Sequence, residues 1–177
     1  FSFVAGISMN PMKVYGGYGE AGVAITNDEK IYSKLKQLRH AGTTSDPKKI
    51  ITNECLEISL NHKMDTINAA MLLVSFKYFK NKTKKLMKIR KYYDENINDI
   101  ILKQKIRKYE IPGMYAYPIQ IKNRNNVKKF LEKKGIETKI WNDPLISDSP
   151  VYKSKKNGKL VNAKKILKHT LNIPFHE

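Results

Sequence analysis

The chain has 177 residues, 41% hydrophobic and 10% aromatic, which excludes a disordered tail and allows one good core or two small subdomains. A formal net charge of +18 ordinarily points to nucleic acid or another anionic surface, but lysine dominates over arginine and isoleucine and asparagine are abundant, the drift of an A/T-rich coding sequence. No apolar run approaches about eighteen residues, no signal-peptide pattern opens the chain, Cys55 has no disulfide partner, and His40, His62, His169 and His176 are too scattered for a ligand set. The expectation is a cytoplasmic protein without membrane span or metal.

Phe1-Ser2-Phe3-Val4-Ala5-Gly6-Ile7 is short, aromatic and β-branched and predicts a buried strand. Pro11 cannot continue it and biases Asn10 to extended backbone, so the chain leaves the sheet just before Lys13. Gly16, Gly17, Gly19 and Gly22 then permit positive φ and let the backbone approach whatever Lys13 faces, as a bound phosphate or cofactor ring requires. The same spacing suits a plain Gly-rich reversal into a second strand, Val23-Ala24-Ile25-Thr26, with Lys13 one solvated cation among 34 basic residues. Asp28 and Glu29 load the first turn of a helix carrying Ile31, Leu35 and Leu38, which Gly42 stops. Thr43 to Asn53 reads as a loop and Cys55 as a small buried or half-buried residue.

Met64, Ile67, Met71, Val74 and Tyr78 then recur on one face of a helix, with Asn61 as its N-cap and Lys63 a solvated charge on spacing alone. Lys82 to about Lys108 predicts a second, long amphipathic helix through Leu86, Ile89, Tyr93, Ile97 and Ile100, with a basic outer face. Pro112-Gly113 breaks the pattern and places a division near 1–108 and 109–177. Beyond it, Tyr115 to Ile121 alternates as a strand, and Val127, Phe130 and Leu131 mark a short helix closed by Gly135. Glu137 to Trp141 reads as another strand, and Ala163, Ile166, Leu167 and Leu171 as a last helix. Trp141 is either a core or interface anchor or a platform for a sugar or base. Both chain ends read as cut. A nucleic-acid module using the basic 77–108 helix is the alternative from another class, though no recognised nucleic-acid motif accompanies it.

Ser8-x-x-Pro11-x-Lys13, followed by Gly19-Glu20-x-Gly22 and a strand ending in Thr26-Asn27-Asp28, resembles the cofactor-lysine segment of the DegT/DnrJ/EryC1/StrS family. These are pyridoxal-phosphate aminotransferases acting on keto sugars carried on nucleotides. The likeness continues through Asn61-x-Lys63 with Ala69-Ala70, through Gly135-Ile136-x-Thr138, and into Ile173-Pro174-Phe175-His176, covering essentially the whole chain. It implies an α/β fold, the C-terminal part of a fold-type-I pyridoxal-phosphate transferase, with the end of the large-domain sheet and a small α+β domain.

It further implies that Lys13 condenses with the cofactor aldehyde and carries the proton of the transamination, while Ser8 donates to the cofactor phosphate. Asn61 would reach the phosphate of a neighbouring subunit, making a homodimer with a shared site. Lys63 stands where the family usually has arginine and lacks the bidentate fork. Trp141-Asn142-Asp143 replaces a His-Tyr pair near the sugar, so Lys63, Trp141 and His176 are the substrate-contact candidates. The implied reaction moves an amino group from an amino acid, L-glutamate, to a nucleotide-linked keto sugar for glycan biosynthesis. A non-transaminating homologue shares the fold, but Lys13 argues against the lysine-less dehydratases. The acid facing the pyridinium nitrogen and the aromatic covering the ring are expected before Phe1, so the chain by itself is expected to be inactive.

Overall fold

The computed structural model describes residues 3–43, 54–141, 143–152 and 158–177, and packs as two compact units, Phe1–Lys80 and Asn81–Glu177. All of the loop predicted from Thr43 to Asn53 except Thr43 lies outside the described residues, as does Asn142.

In the first unit, β1 (Ala5–Ser8) and β2 (Gly22–Ile25) pair antiparallel, with Ala5 opposite Ile25 and Ser8 opposite Gly22. The strands lie where β-branched residues predict them but are not buried: Val4, Ile7, Val23 and Ile25 are exposed. The reason is topological, since among the described residues each strand pairs only with the other. α1 (Glu29–Arg39) starts on Asp28, whose Oδ1 accepts from Lys30 N at 2.9 Å and Ile31 N at 3.0 Å. It ends through Gly42 at φ +73°, whose N–H donates to Gln37 O at 3.1 Å. Cys55 is exposed rather than buried, its thiol near Glu57 O at 3.4 Å.

Two helices are predicted after Asn61, but the structure has one, α2 (Thr66–Asn96), 31 residues long. No Gly or Pro interrupts it, and it stops at Asn96 rather than near Lys108. Its predicted inward stripe is also corrected: Ile67, Met71, Val74 and Tyr78 are exposed, while Leu72 is buried. Docking decides the face. Tyr15 donates its OH to Leu72 O at 3.0 Å and sets its ring 5.7 Å from Phe76 and 5.5 Å from Phe79. Lys77, Lys80, Lys84, Lys85, Lys88 and Lys91 lie exposed along the helix.

The second unit holds β3 (Leu102–Lys103), β4 (Tyr117–Gln120) and β5 (Thr170–Ile173), antiparallel in the order β3-β4-β5, with α3 (Arg124–Lys133) and α4 (Val161–His169). Its core is Tyr117, Ile119 and Leu171, lined by Tyr93, Ile97, Val127 and Leu131. Leu171 is therefore a strand residue, not the end of the last helix: Thr170 turns extended at ψ 130° and Leu171 pairs with Ile119. The strand predicted over Glu137–Trp141 reduces to one bridge, in which Lys139 and Asn172 exchange N–H···O bonds of 2.9 and 2.8 Å.

Tyr117 joins this core to the C-terminal half of α2. Its OH donates to Asp94 Oδ1 at 2.5 Å, and the Arg90 guanidinium stands 5.4 Å from its ring centre. Burial, then the Asp94 carboxylate, push the phenol's pKa well above its ordinary value. A folded state that holds this proton more tightly is stabilised below about pH 10 and loses that contribution as the pH rises further. The unfolding midpoint is accordingly expected to fall more steeply above about pH 10 in the parent than in Tyr117→Phe. At neutral pH that variant is expected to lose about 1 kcal/mol in urea titration, the usual worth of one hydrogen bond.

Candidate active site

β1 ends at Ser8, and the chain turns at once: Met9 N donates to Ala21 O at 2.8 Å, and Lys13 N donates to Asn10 O at 2.8 Å. Asn10 organises the turn. Its Oδ1 accepts from Met12 N at 2.9 Å and its Nδ2 donates to Glu20 Oε1 at 2.7 Å. Lys13 is thus half-buried at a tight turn on the segment between the two strands.

The glycines behind it serve a different purpose from the predicted one. Positive φ occurs at Gly42 and Gly135 and not at Gly16, Gly17, Gly19 or Gly22. What Gly16 and Gly17 supply is room. A Cβ on Gly16 would lie 2.6 Å from Asn10 O and 2.8 Å from Pro11 O, and one on Gly17 would lie 2.5 Å from Asn68 Oδ1. The loop is therefore folded against the Asn10–Pro11 backbone and the first turns of α2.

Ser8 Oγ accepts from Asn10 N at 3.4 Å, and among the described residues its own hydrogen has no acceptor. A hydroxyl able to donate and a primary amine, five residues apart on one turn, are the donor set a phosphorylated aldehyde requires, so the residues present fit pyridoxal phosphate. Ser8 also lines a broad groove of about 900 Å³ with Thr26, Tyr32, Arg39, His62 and Met64. That groove brings Ser8 to the segment after Asn61, but its lining does not include Lys13.

Asn61 is exposed and does not cap a helix as predicted, because α2 begins only at Thr66; instead it bridges His40, and its Oδ1 accepts from Lys63 N at 3.3 Å. Lys63 is exposed. In the second unit, Trp141 and His176 line one pocket of about 250 Å³ together with Tyr115, Thr138, Asn172 and Phe175. Tyr115 stacks on Trp141, centroids 5.2 Å apart and planes 28° from parallel. Tyr115 escaped the sequence reading as a site residue because strand alternation explained it. Asn68 escaped it because a single amide on a helix carries no pattern.

No helix among the described residues is long and apolar enough to cross a membrane, and no cluster of metal-ligating side chains occurs among them.

Comparison with known proteins agrees with this arrangement. The model of the DegT/DnrJ/EryC1/StrS aminotransferase family matches residues 1–177. A pleiotropic regulatory protein of Geobacillus stearothermophilus is 29% identical over 95% of this chain and 45% of its own length. A UDP-2-acetamido-2-deoxy-3-oxo-D-glucuronate aminotransferase of Pseudomonas aeruginosa is 24% identical over 99% and 47%. Among solved structures, a DegT DnrJ EryC1 StrS aminotransferase from Brucella abortus superposes with a TM-score of 0.88 at 24% identity, over 99% of this chain and 46% of that one. A Bacillus subtilis protein, ntda, with the cofactor PMP bound, superposes at 0.81 with 22% identity, over 99% and 42%. The chain spans about half the length of these relatives. With its Ser8–Lys13 turn, its β1–β2 pair and its small α+β unit, the chain belongs to the DegT/DnrJ/EryC1/StrS aminotransferase family and has the fold of the corresponding part of those enzymes.

Proposed function

We propose that the protein containing this chain transfers an amino group from an amino acid, L-glutamate, to a keto sugar carried on a nucleotide, for glycan synthesis. The observation that carries this reading is the turn that holds Lys13 half-buried five residues after the strand-end hydroxyl of Ser8. Pyridoxal phosphate, when bound, supplies an electron sink for the carbon that loses its proton. Lys13 Nζ is the nucleophile that holds the cofactor and, once displaced by the donor amine, moves the proton between the two reacting carbons. Ser8 Oγ donates to the cofactor phosphate. Asn61, exposed on its loop, serves the phosphate in a second copy, so the working enzyme is a homodimer.

Lys63 in the first unit and, in the second, the pocket of Trp141 and His176 are the substrate-contact candidates, the indole offering a flat face to a sugar or base.

The test is borohydride reduction of the full-length protein with pyridoxal phosphate, followed by peptide mass mapping. A reduced adduct on Lys13 supports the assignment. An adduct elsewhere, or none, overturns it and favours a regulatory homologue, the role that the name of the Geobacillus relative carries.

A further inference from the structure

Within the first unit, the Asn68 side chain on α2 bonds the backbone of the glycine loop at two points. Its Oδ1 accepts from Tyr18 N at 3.2 Å, and its Nδ2 reaches Glu20 O at 3.4 Å. Gly17 is buried against the same amide, with no room for a methyl group, and Gly19 leaves its Nδ2 3.5 Å from where a Cβ would stand. From Glu20 the connection continues to Lys13. The Glu20 carboxylate accepts from Asn10 Nδ2 at 2.7 Å, Asn10 Oδ1 accepts from Met12 N at 2.9 Å, and Asn10 O accepts from Lys13 N at 2.8 Å. Every link is a short-range hydrogen bond with a defined direction, and the chain of links runs from a helix to the lysine backbone.

We infer that Asn68 is a positioning residue for Lys13. Anchored on a regular helix, its amide fixes Tyr18 and Glu20, and Glu20 fixes the Asn10 turn from which Lys13 projects. A loop with several glycines has many conformations to lose on ordering, and a two-point clamp removes that freedom before the cofactor arrives. The alternative, that Asn68 merely holds α2 to the hairpin, is weaker. Tyr15 already joins the two through Leu72 O and the Phe76 and Phe79 rings, whereas Asn68 contacts the loop backbone itself.

This inference rests on Lys13 being the cofactor lysine, and the test separates the two. In the full-length protein, the pyridoxal phosphate concentration giving half-maximal borohydride-fixed adduct on Lys13 is measured for the parent and for Asn68→Leu, Asn68→Asp and Gly17→Ala. Leucine keeps the shape and removes both bonds, so the half-maximal concentration is expected to rise about tenfold, the effect of losing one to two hydrogen bonds. Aspartate keeps the acceptor facing Tyr18 N and is expected to fall between. Gly17→Ala, whose methyl displaces the Asn68 amide, is expected to match leucine. Thermal midpoints close to the parent's are expected throughout. Parent-like capture by Asn68→Leu overturns the inference alone. Loss of capture that only tracks a falling midpoint in all three variants overturns it too, by making the role structural. No adduct in the parent overturns both readings.

Discussion

Lys13→Arg is expected to lower kcat for amino transfer by about a thousandfold or more, since a positioned proton-transfer group is itself worth about two to four orders of magnitude. Arginine preserves the charge and most of the length of the side chain. It cannot act as the amine that condenses with an aldehyde, and it stays protonated at any working pH, so it cannot accept a proton either. Because the turn at Asn10 is held through backbone and Asn10 side-chain bonds, the substitution leaves the loop folded. The expected outcome is a protein of parental thermal midpoint with no borohydride-fixed cofactor at position 13 and no steady-state turnover. Measurable turnover within tenfold of the parent would remove Lys13 from the chemistry.

The second large effect falls on stability. Gly42 sits at φ +73° directly after α1, and a Cβ there would land on the Glu57 carbonyl. Its own carbonyl accepts from Leu56 N at 2.9 Å and Glu57 N at 3.3 Å, so the segment after residue 54 is laid across this glycine. Gly42→Ala combines a left-handed penalty of about 1–2 kcal/mol with a backbone collision that forces those bonds apart. A loss of about 4 kcal/mol in urea titration is expected, at the exceptional end for a point substitution. Gly135→Ala is the control. Its φ is +74°, yet nothing lies within 4 Å of the added carbon, so only the conformational penalty of about 1 kcal/mol is expected.

The comparison of Gly42 with Gly16 and Gly17 also shows what could be read from the sequence. A glycine after a helix has one common use, and Gly42 and Gly135 both cap helices in the left-handed region as predicted. A cluster of glycines has several uses, and only coordinates distinguish positive φ from a need for space. That the chain leaves the sheet between Ser8 and Lys13 was legible, because Pro11 cannot continue a strand. The burial of β1 was not legible. β-branched residues mark a strand, but whether a sheet face is covered depends on elements far away in the sequence. The same holds for α2: periodicity found a helix, and its exposed apolar stripe misdirected the choice of face. Leu171 was assigned by helical spacing, yet pairing with Ile119 overrode that spacing.

α2 has a further consequence in its charge order. Between Lys77 and Lys91 it carries lysines on successive turns, Lys80, Lys84 and Lys88 among them at spacings of four, while its only acids, Asp94 and Glu95, come in the last turn. Like charges at that spacing oppose helix formation, and acids at the C-terminal end oppose the macrodipole. As an excised peptide this segment would be a poor helix; in the protein, packing at Leu72 and Leu86 imposes the conformation. Dissolved electrolyte then becomes a silent structural component: added ions screen the lysine ladder and relieve its self-repulsion. Buffers of low ionic strength would loosen α2 first, before the neutral core around Leu171 responds.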